Sequence, residues 1–362
     1  MEFKNKKSVI YLKRTVVIVF LLCVCIGTIS IRYKTQNKTL SDTTIENEDT
    51  NSNNANDIVT NNDNIEITDI AQYYQNSTLK VAEEINSLND NYVSFVIVTD
   101  THGVKNGNNS QNIIRYLLKN TKADKLFHLG DSVASNWEES DCHLYFDYFN
   151  NCKEQVFYAL GNHETYGSTS DDINMIYENL LAEKDYLYGS PNRFYYYFDD
   201  ADEQIRYLVI NTSDNSEANT TDEQLEWITE SVKLPSDDWK LIVFGHIDIN
   251  PNDLITKDWK SPKSEEITNA LSSTNGTLVG YFCGHEHFDS IQKVNDKFYE
   301  IVLLNDSCSK DTTFLEITNP DRILGTESEQ AVSVVSINMK TGDVDIRRIG
   351  AGENLTYNYL DK

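Results

Sequence analysis

Apolar residues in this chain come in short continuous runs, and each run stops abruptly at a polar residue. Phe95-Val96-Ile97-Val98, Leu126-Phe127-His128-Leu129, Val156-Phe157-Tyr158-Ala159-Leu160, Leu241-Ile242-Val243-Phe244 and Leu278-Val279-Gly280-Tyr281-Phe282-Cys283 are rich in β-branched and aromatic side chains. Runs of this kind predict strands buried on both faces. Between them the apolar spacing changes to three and four. Leu79, Ala82, Ile85 and Leu88 predict a short helix over 79–88, and Ile113, Ile114, Leu117 and Leu118 another over 112–120. Helices are also expected over 144–150 and 171–181, and from Thr221, whose hydroxyl suits the cap of a helix carrying Leu225, Ile228 and Val232. Alternation predicts a hairpin from 194–198 and 204–210 and further strands over 290–302 and 331–349, the last pair turning at Lys340-Thr341-Gly342-Asp343. Strands and helices in alternation describe an α/β domain.

The first seventy residues break this pattern. Lys4, Lys6, Lys7, Lys13 and Arg14 lead into an uncharged run over 15–31. That run is near the lower limit of the roughly 17–25 residues a membrane-spanning helix needs. The expectation is a cytoplasmic basic segment at 1–14, an uncleaved signal anchor at 15–31, and everything after it outside the cell membrane by the positive-inside rule. A cleavable export signal, giving a secreted protein, is the alternative. Residues 32–69 are dominated by Asn, Thr, Asp and Glu and predict a disordered linker. The folded domain is then 70–355, with a tail at 356–362.

Charge narrows the partners. With 57 acidic against 31 basic residues the formal charge is −26, without the basic footprint that nucleic acid requires. A phosphorylated substrate remains compatible, because bound cations reverse the sign locally.

The ends of the apolar runs supply groups that bind cations. They close in Asp100-Thr101-His102-Gly103, Gly130-Asp131, Gly161-Asn162-His163-Glu164, Gly245-His246 and Gly284-His285-Glu286-His287, which take five of the chain's seven histidines. Open α/β sheets place ligands outside the carboxyl ends of their strands. Asp100 to Asp131 and Asp131 to Asn162 each span about one βαβ unit of roughly thirty residues, so these three ends fall side by side. Asp100 and His102 are two apart and project to one side of extended backbone. Any one Gly-Asp or Gly-His pair is ordinary turn punctuation. Five in this order describe a metal site.

That order of motifs resembles the calcineurin-like metallophosphoesterase superfamily, over roughly 87–352. The resemblance implies a four-layer α-β-β-α sandwich of two mixed sheets and two divalent transition-metal ions of the Mn, Fe or Zn kind. It implies that Asp100, His102, Asp131 and His287 hold one ion, and that Asp131, Asn162, His246 and His285 hold the other, with Asp131 bridging. His163 matches the family's catalytic histidine, near the leaving group. The expected reaction is hydrolysis of a phosphomonoester or phosphodiester by in-line attack of a hydroxide held between the ions. The alternative is a non-catalytic cell-surface binding module that retains the fold. Glu164 either orients His163 or a metal ligand, or is a plain surface carboxylate.

Ala134 departs from the family, which usually has Asp or Asn three residues after the motif aspartate and Tyr there in purple acid phosphatases. The missing tyrosine argues against a ferric charge-transfer site. His128 is expected to face away from the site, and His143 to lie exposed on a helix. A Cys142–Cys152 bridge stays open, depending on where the preceding helix ends. Tyr195-Tyr196-Tyr197 packs both faces of a hairpin or lines a cleft. The segments 167–193, 247–264 and 305–329 are candidate substrate selectors.

Overall fold

The computed structural model describes residues 65–102, 108–132, 147, 149–165, 170–213, 220–250, 261–307 and 321–361. The expected anchor, the linker up to residue 64, most of the helix at 144–150, Ala134, Cys142 and His143 lie outside these residues. Among the described residues no helix is long and apolar enough to cross a membrane.

Two mixed sheets form the interior. The first contains β1 (Tyr92–Val98), β2 (Leu126–His128), β3 (Val156–Tyr158), β11 (Ala331–Asn338), β12 (Asp343–Gly350) and β13 (Leu355–Asn358), in the order β13-β12-β11-β1-β2-β3. The second contains β4 (Tyr188–Ser190), β5 (Tyr195–Asp200), β6 (Ile205–Val209), β7 (Lys240–Phe244), β8 (Thr277–Cys283), β9 (Ser290–Val294) and β10 (Phe298–Val302), in the order β4-β5-β6-β7-β8-β10-β9. Strands β1, β2 and β3 are parallel neighbours, as are β6, β7, β8 and β10; the remaining pairs are antiparallel.

The predicted runs are buried because both faces of their sheets are covered. Between the sheets, Phe95 and Phe127 meet Phe244 and Phe282. Phe127 stacks on Phe244 with ring centroids 3.8 Å apart, while Phe95 stands edge-on to Phe244 at 5.6 Å. Aromatic rings supply much of this layer because each buries a large apolar area on two torsions. Outside the first sheet lie α1 (Gln72–Ser87) and α2 (Asn108–Asn120), which contact β12 and β1/β11 respectively. Outside the second, α5 (Asp222–Ser231) and α6 (Ser264–Ser272) bury Ile228, Ile267 and Leu271 against Leu208, Leu241 and Val243. Thr221 caps α5, accepting from the Gln224 backbone N–H. Between β3 and β4 lie α3 (Asn162–Thr165) and α4 (Ser170–Leu180).

Several boundaries differ from expectation. The linker does not run to Asp69, because Ile65 and Ile70 are buried around a 3₁₀ turn at Ile67–Asp69. Helix α1 starts seven residues before Leu79, burying Tyr74 and Thr78; its polar Gln, Asn and Ser letters hide the periodicity. The expected tail at 356–362 is folded over its described residues: β13 pairs with β12, and Tyr359 is buried. Helix α6 has only three buried apolar residues, too few to register as a pattern. The tyrosine run alternates as hairpin residues do: Tyr196 enters the core between the sheets, while Tyr197 packs outward under the Arg206 guanidinium, 3.8 Å from its ring.

Candidate metal centre

Strands β1, β2, β3, β7 and β8 all end at one edge of the sandwich, and the turns that follow bring their terminal residues together. Three groups of carboxylate and imidazole atoms form there, each with its atoms within 4.8 Å of one another: Asp100, His102 and His287; His102, Asp131 and His163; Asp131, His246 and His285. The backbone bends sharply to achieve this. Asp100, His102, Asp131, His285 and His287 all have left-handed φ, between 46° and 71°, and make up five of the nine such non-glycine residues described. The conformation is costly for L-residues and persists where the surroundings enforce it, typically at functional sites.

Each aspartate has one oxygen anchored and the other directed at the cluster. Asp100 Oδ2 accepts from the Thr99 hydroxyl at 2.5 Å and from the His285 backbone N–H at 2.9 Å. Its Oδ1 is 3.2 Å from His287 Nε2 and 3.8 Å from His102 Nε2. Asp131 Oδ1 accepts from the His163 backbone N–H at 2.8 Å, leaving Oδ2 at 3.2 Å from His246 Nε2 and 3.7 Å from His163 Nε2. A Cβ at Gly284 would collide with Thr99 Oγ1 and Asp100 Oδ2, and one at Gly161 with Asp131 Oδ1. Glycine is therefore required at both turns.

The imidazoles are aimed as ligands. His246 Nδ1 donates to the Leu129 carbonyl at 2.8 Å, which leaves Nε2 toward Asp131 and toward Asn162 Oδ1 at 2.9 Å. A backbone carbonyl fixing one ring nitrogen so that the other faces the metal is a recurrent device of metal sites. His102 Nε2 and His287 Nε2 face each other at 3.0 Å. Two nitrogens and a carboxylate oxygen at these distances suit a shared cation. His163 is the more open of the rings, its side chain 26 % exposed against 14 % for His102.

The charges are set by burial and by one another. Burial pushes the Asp100 and Asp131 carboxyls up, but the neighbouring imidazoles, His287 for Asp100 and His246 for Asp131, more than offset it. They hold Asp100 well below the usual range and Asp131 at about 2. Burial lowers His246, yet the Asp131 charge and hydrogen bond raise it to about 10. Burial dominates at His285 and His102, which are held below 6.5, His285 at about 4.

All eight residues expected at the site converge. Glu164 is not a surface group: it is fully buried and accepts from the backbone N–H groups of Asp131 (2.9 Å), Ser132 (2.7 Å) and Gly161 (2.9 Å). It thus ties the turn after β2 to the turn after β3. Sequence reasoning missed Thr99, Ser132, Thr212 and Tyr158. Tyr158 donates to Ser132 Oγ, which donates to Glu164, and Thr212 Oγ1 receives the backbone N–H groups of His246 and Ile247. Only adjacency to Asp100 and Asp131 marks Thr99 and Ser132 in the sequence; Tyr158 and Thr212 carry no signal. His128 is buried behind the site, its Nδ1 accepting from Gly130 N–H and its ring stacked on Tyr158 at 5.0 Å. Burial holds it neutral, at about 3.

Carboxylates and imidazoles converging at a sheet edge define a metal-dependent hydrolase centre. The chain belongs to the calcineurin-like phosphoesterase family, whose model matches residues 93–289, more than half its length. Among solved structures it is similar to a dimetal phosphatase from Danio rerio, with 12 % identity and a TM-score of 0.50 over 74 % of this chain and 98 % of that one. It is also similar to purple acid phosphatase PPD1 from yellow lupin (Lupinus luteus) seeds, with 14 % identity and a TM-score of 0.47 over 74 % of this chain and 54 % of the other. No curated protein matches the sequence.

Proposed function

We propose that the protein hydrolyses a phosphomonoester or phosphodiester with two divalent transition-metal ions held side by side. Asp100, His102, Asp131 and His287 would hold one ion, and Asp131, Asn162, His246 and His285 the other. The observation that carries this reading is Asp131, which belongs to two of the three ligand-type groups and directs Oδ2 toward His246 of one and His163 of the other. When bound, the ions polarise the phosphoryl oxygens and activate water. The protein's own residues do the rest. Asp100 and Asp131 supply the negative charge that draws cations into the site. Leu129 C=O, Thr99 and Glu164 keep the ligands in place before any cation arrives. His163, more open than the other rings, stands where it can give a proton to the departing oxygen.

The test is hydrolysis of 4-nitrophenyl phosphate and of its bis-ester by full-length protein, with metal content measured on the same sample. Two ions per chain and cleavage of at least one ester are expected; a fully loaded protein that cleaves neither ester refutes the reading. We also place the reaction outside the cell membrane, on the strength of the basic segment and the apolar run at 15–31. Protease added to intact cells should then remove the domain.

A further inference from the structure

Asp100 anchors the half of the cluster that includes His102 and His287, and its backbone is left-handed, with φ of 53°. Such a conformation persists only where the surroundings over-determine it. One restraint is the turn after β2: Asp100 N–H donates to the Gly130 carbonyl and His102 N–H to the Asp131 carbonyl, each at 3.0 Å. The other is the segment 304–307 after β10, which supplies no residue to the cluster. Asp306 N–H donates to the Thr99 carbonyl at 2.8 Å, and Ser307 N–H to the Asp100 carbonyl at 3.1 Å. Thr99 and Asp100 follow a strand of the first sheet, whereas β10 belongs to the second. These two bonds therefore join the sheets at the edge where the cluster lies.

The same segment is bonded to the chain beside His287. Leu304 N–H donates to Asp289 Oδ1 at 2.9 Å, two residues beyond that histidine, and the buried Arg348 guanidinium pairs with the same oxygen at 2.6 Å. Asp306, itself buried, accepts from the Ala331 N–H at 3.0 Å, at the start of β11, the antiparallel neighbour of β1. Asn305 closes the turn: its Nδ2 donates to the Ser307 carbonyl at 3.1 Å and to Ser307 Oγ at 2.9 Å.

Arg322 locks this turn from outside. Its Nη1 donates to the Asn305 carbonyl at 2.8 Å, and its Nη2 to the carbonyls of Asp306 and Glu329, both at 2.9 Å. The rigid fork of a guanidinium serves several carbonyls at once, which the single nitrogen of a lysine does less well. Asp306 thus gives its N–H to Thr99 and its carbonyl to Arg322. The loop that carries Arg322 is fixed in turn to α1, because Glu329 Oε2 accepts from the Tyr73 hydroxyl at 2.9 Å and from Gly325 N–H at 2.7 Å. We infer that Arg322 is a positioning residue for the ion expected at Asp100, His102 and His287, acting through the 304–307 turn on the Asp100 backbone. The inference rests on the two-ion reading above and deepens it. Asn305, Asp306, Ser307 and Arg322 all fall in the 305–329 segment expected from the sequence to select substrates.

The sign of the effect separates this role from plain electrostatics. Arg322 repels a cation bound in the cluster, so losing its charge alone would tighten binding; losing the brace should weaken it. Mn²⁺ is titrated calorimetrically into metal-free, full-length protein, with His287→Ala marking which binding phase belongs to the Asp100 half. Arg322→Ala should weaken that phase about tenfold, the lower end of the range for groups behind the ligands, and leave the other phase unmoved. Arg322→Lys keeps the charge and most of the stem, and should weaken the same phase by a smaller factor. A phase unchanged or tightened in both variants overturns the inference, and so does an equal loss in both phases, the mark of a residue that only supports the fold. Selective loss in a protein that cleaves neither 4-nitrophenyl ester supports the brace and counts against the phosphoesterase reading. A wild type that binds no Mn²⁺ overturns both.

Discussion

The two halves of the metal-type cluster are built differently. Around His102 and His287 the side chains are 14 % exposed and face each other across 3.0 Å, tied to the fold through Asp100. Around Asp131 and His246 the side chains are at most 2 % exposed and sit in a closed network of Leu129 C=O, Asn162, Ser132 and Glu164. The first half is a mouth and the second a foundation. Burial with every partner supplied fixes geometry, because any displacement leaves a desolvated polar group unpaired. A partly open pair of rings can admit and release ligands at smaller cost.

Asp131→Ala, which removes the carboxylate that stands close to His102 and His163 as well as to His246 and His285, has the largest effect. Activity should fall more than about a hundredfold, beyond the 10–100-fold that outer partners contribute, and both ions should be lost in metal analysis. Next comes a matched pair. His246→Ala breaks a buried ion pair and should cost the metal-free fold on the order of 3–5 kcal/mol in denaturant titration, whereas His102→Ala should cost about 1 kcal/mol or less while halving the metal content. Equal costs would erase the distinction between foundation and mouth. Glu164→Gln loosens only the foundation. Its metal affinity should drop roughly 10–100-fold, with one of two binding phases altered in calorimetry.

Stability and metal affinity also change with pH. His246 keeps its proton to about pH 10 in the metal-free protein, against 6.5 when unperturbed. Its contribution to stability is therefore complete below about pH 6.5 and is lost as the pH rises toward 10. A metal ion needs that nitrogen bare, so below about pH 10 binding expels one proton and affinity should rise by about tenfold per pH unit. His102 and His285, already held neutral by burial, add no such slope at pH 7 and above. Proton release in calorimetry performed in buffers of different ionisation enthalpy checks this; a slope of zero removes the paired state of His246.

Much of the architecture was legible because β-branched and aromatic runs closed by glycine have few ways to be buried. The helices at 112–120 and 171–181, the 194–210 hairpin and the capped helix after Thr221 all form near their expected positions. Elements with little apolar content, such as α6, the start of α1 and β13, escaped notice because their burial depends on neighbours distant in sequence.

For the site, the sequence by itself picked out which side chains come together: Asp100, His102, Asp131, Asn162, His163, His246, His285 and His287 all follow apolar runs and lie within three residues of a glycine. Tertiary structure alone decided what holds them. Glu164 is an anchor rather than a surface charge, Tyr158 reaches it through Ser132, and Leu129 offers its carbonyl to His246. Hydrogen bonds of this kind depend on angles and distances between segments as far as 185 residues apart, and a carbonyl carries no residue-specific mark. Sequence names the donors and acceptors; only packing pairs them.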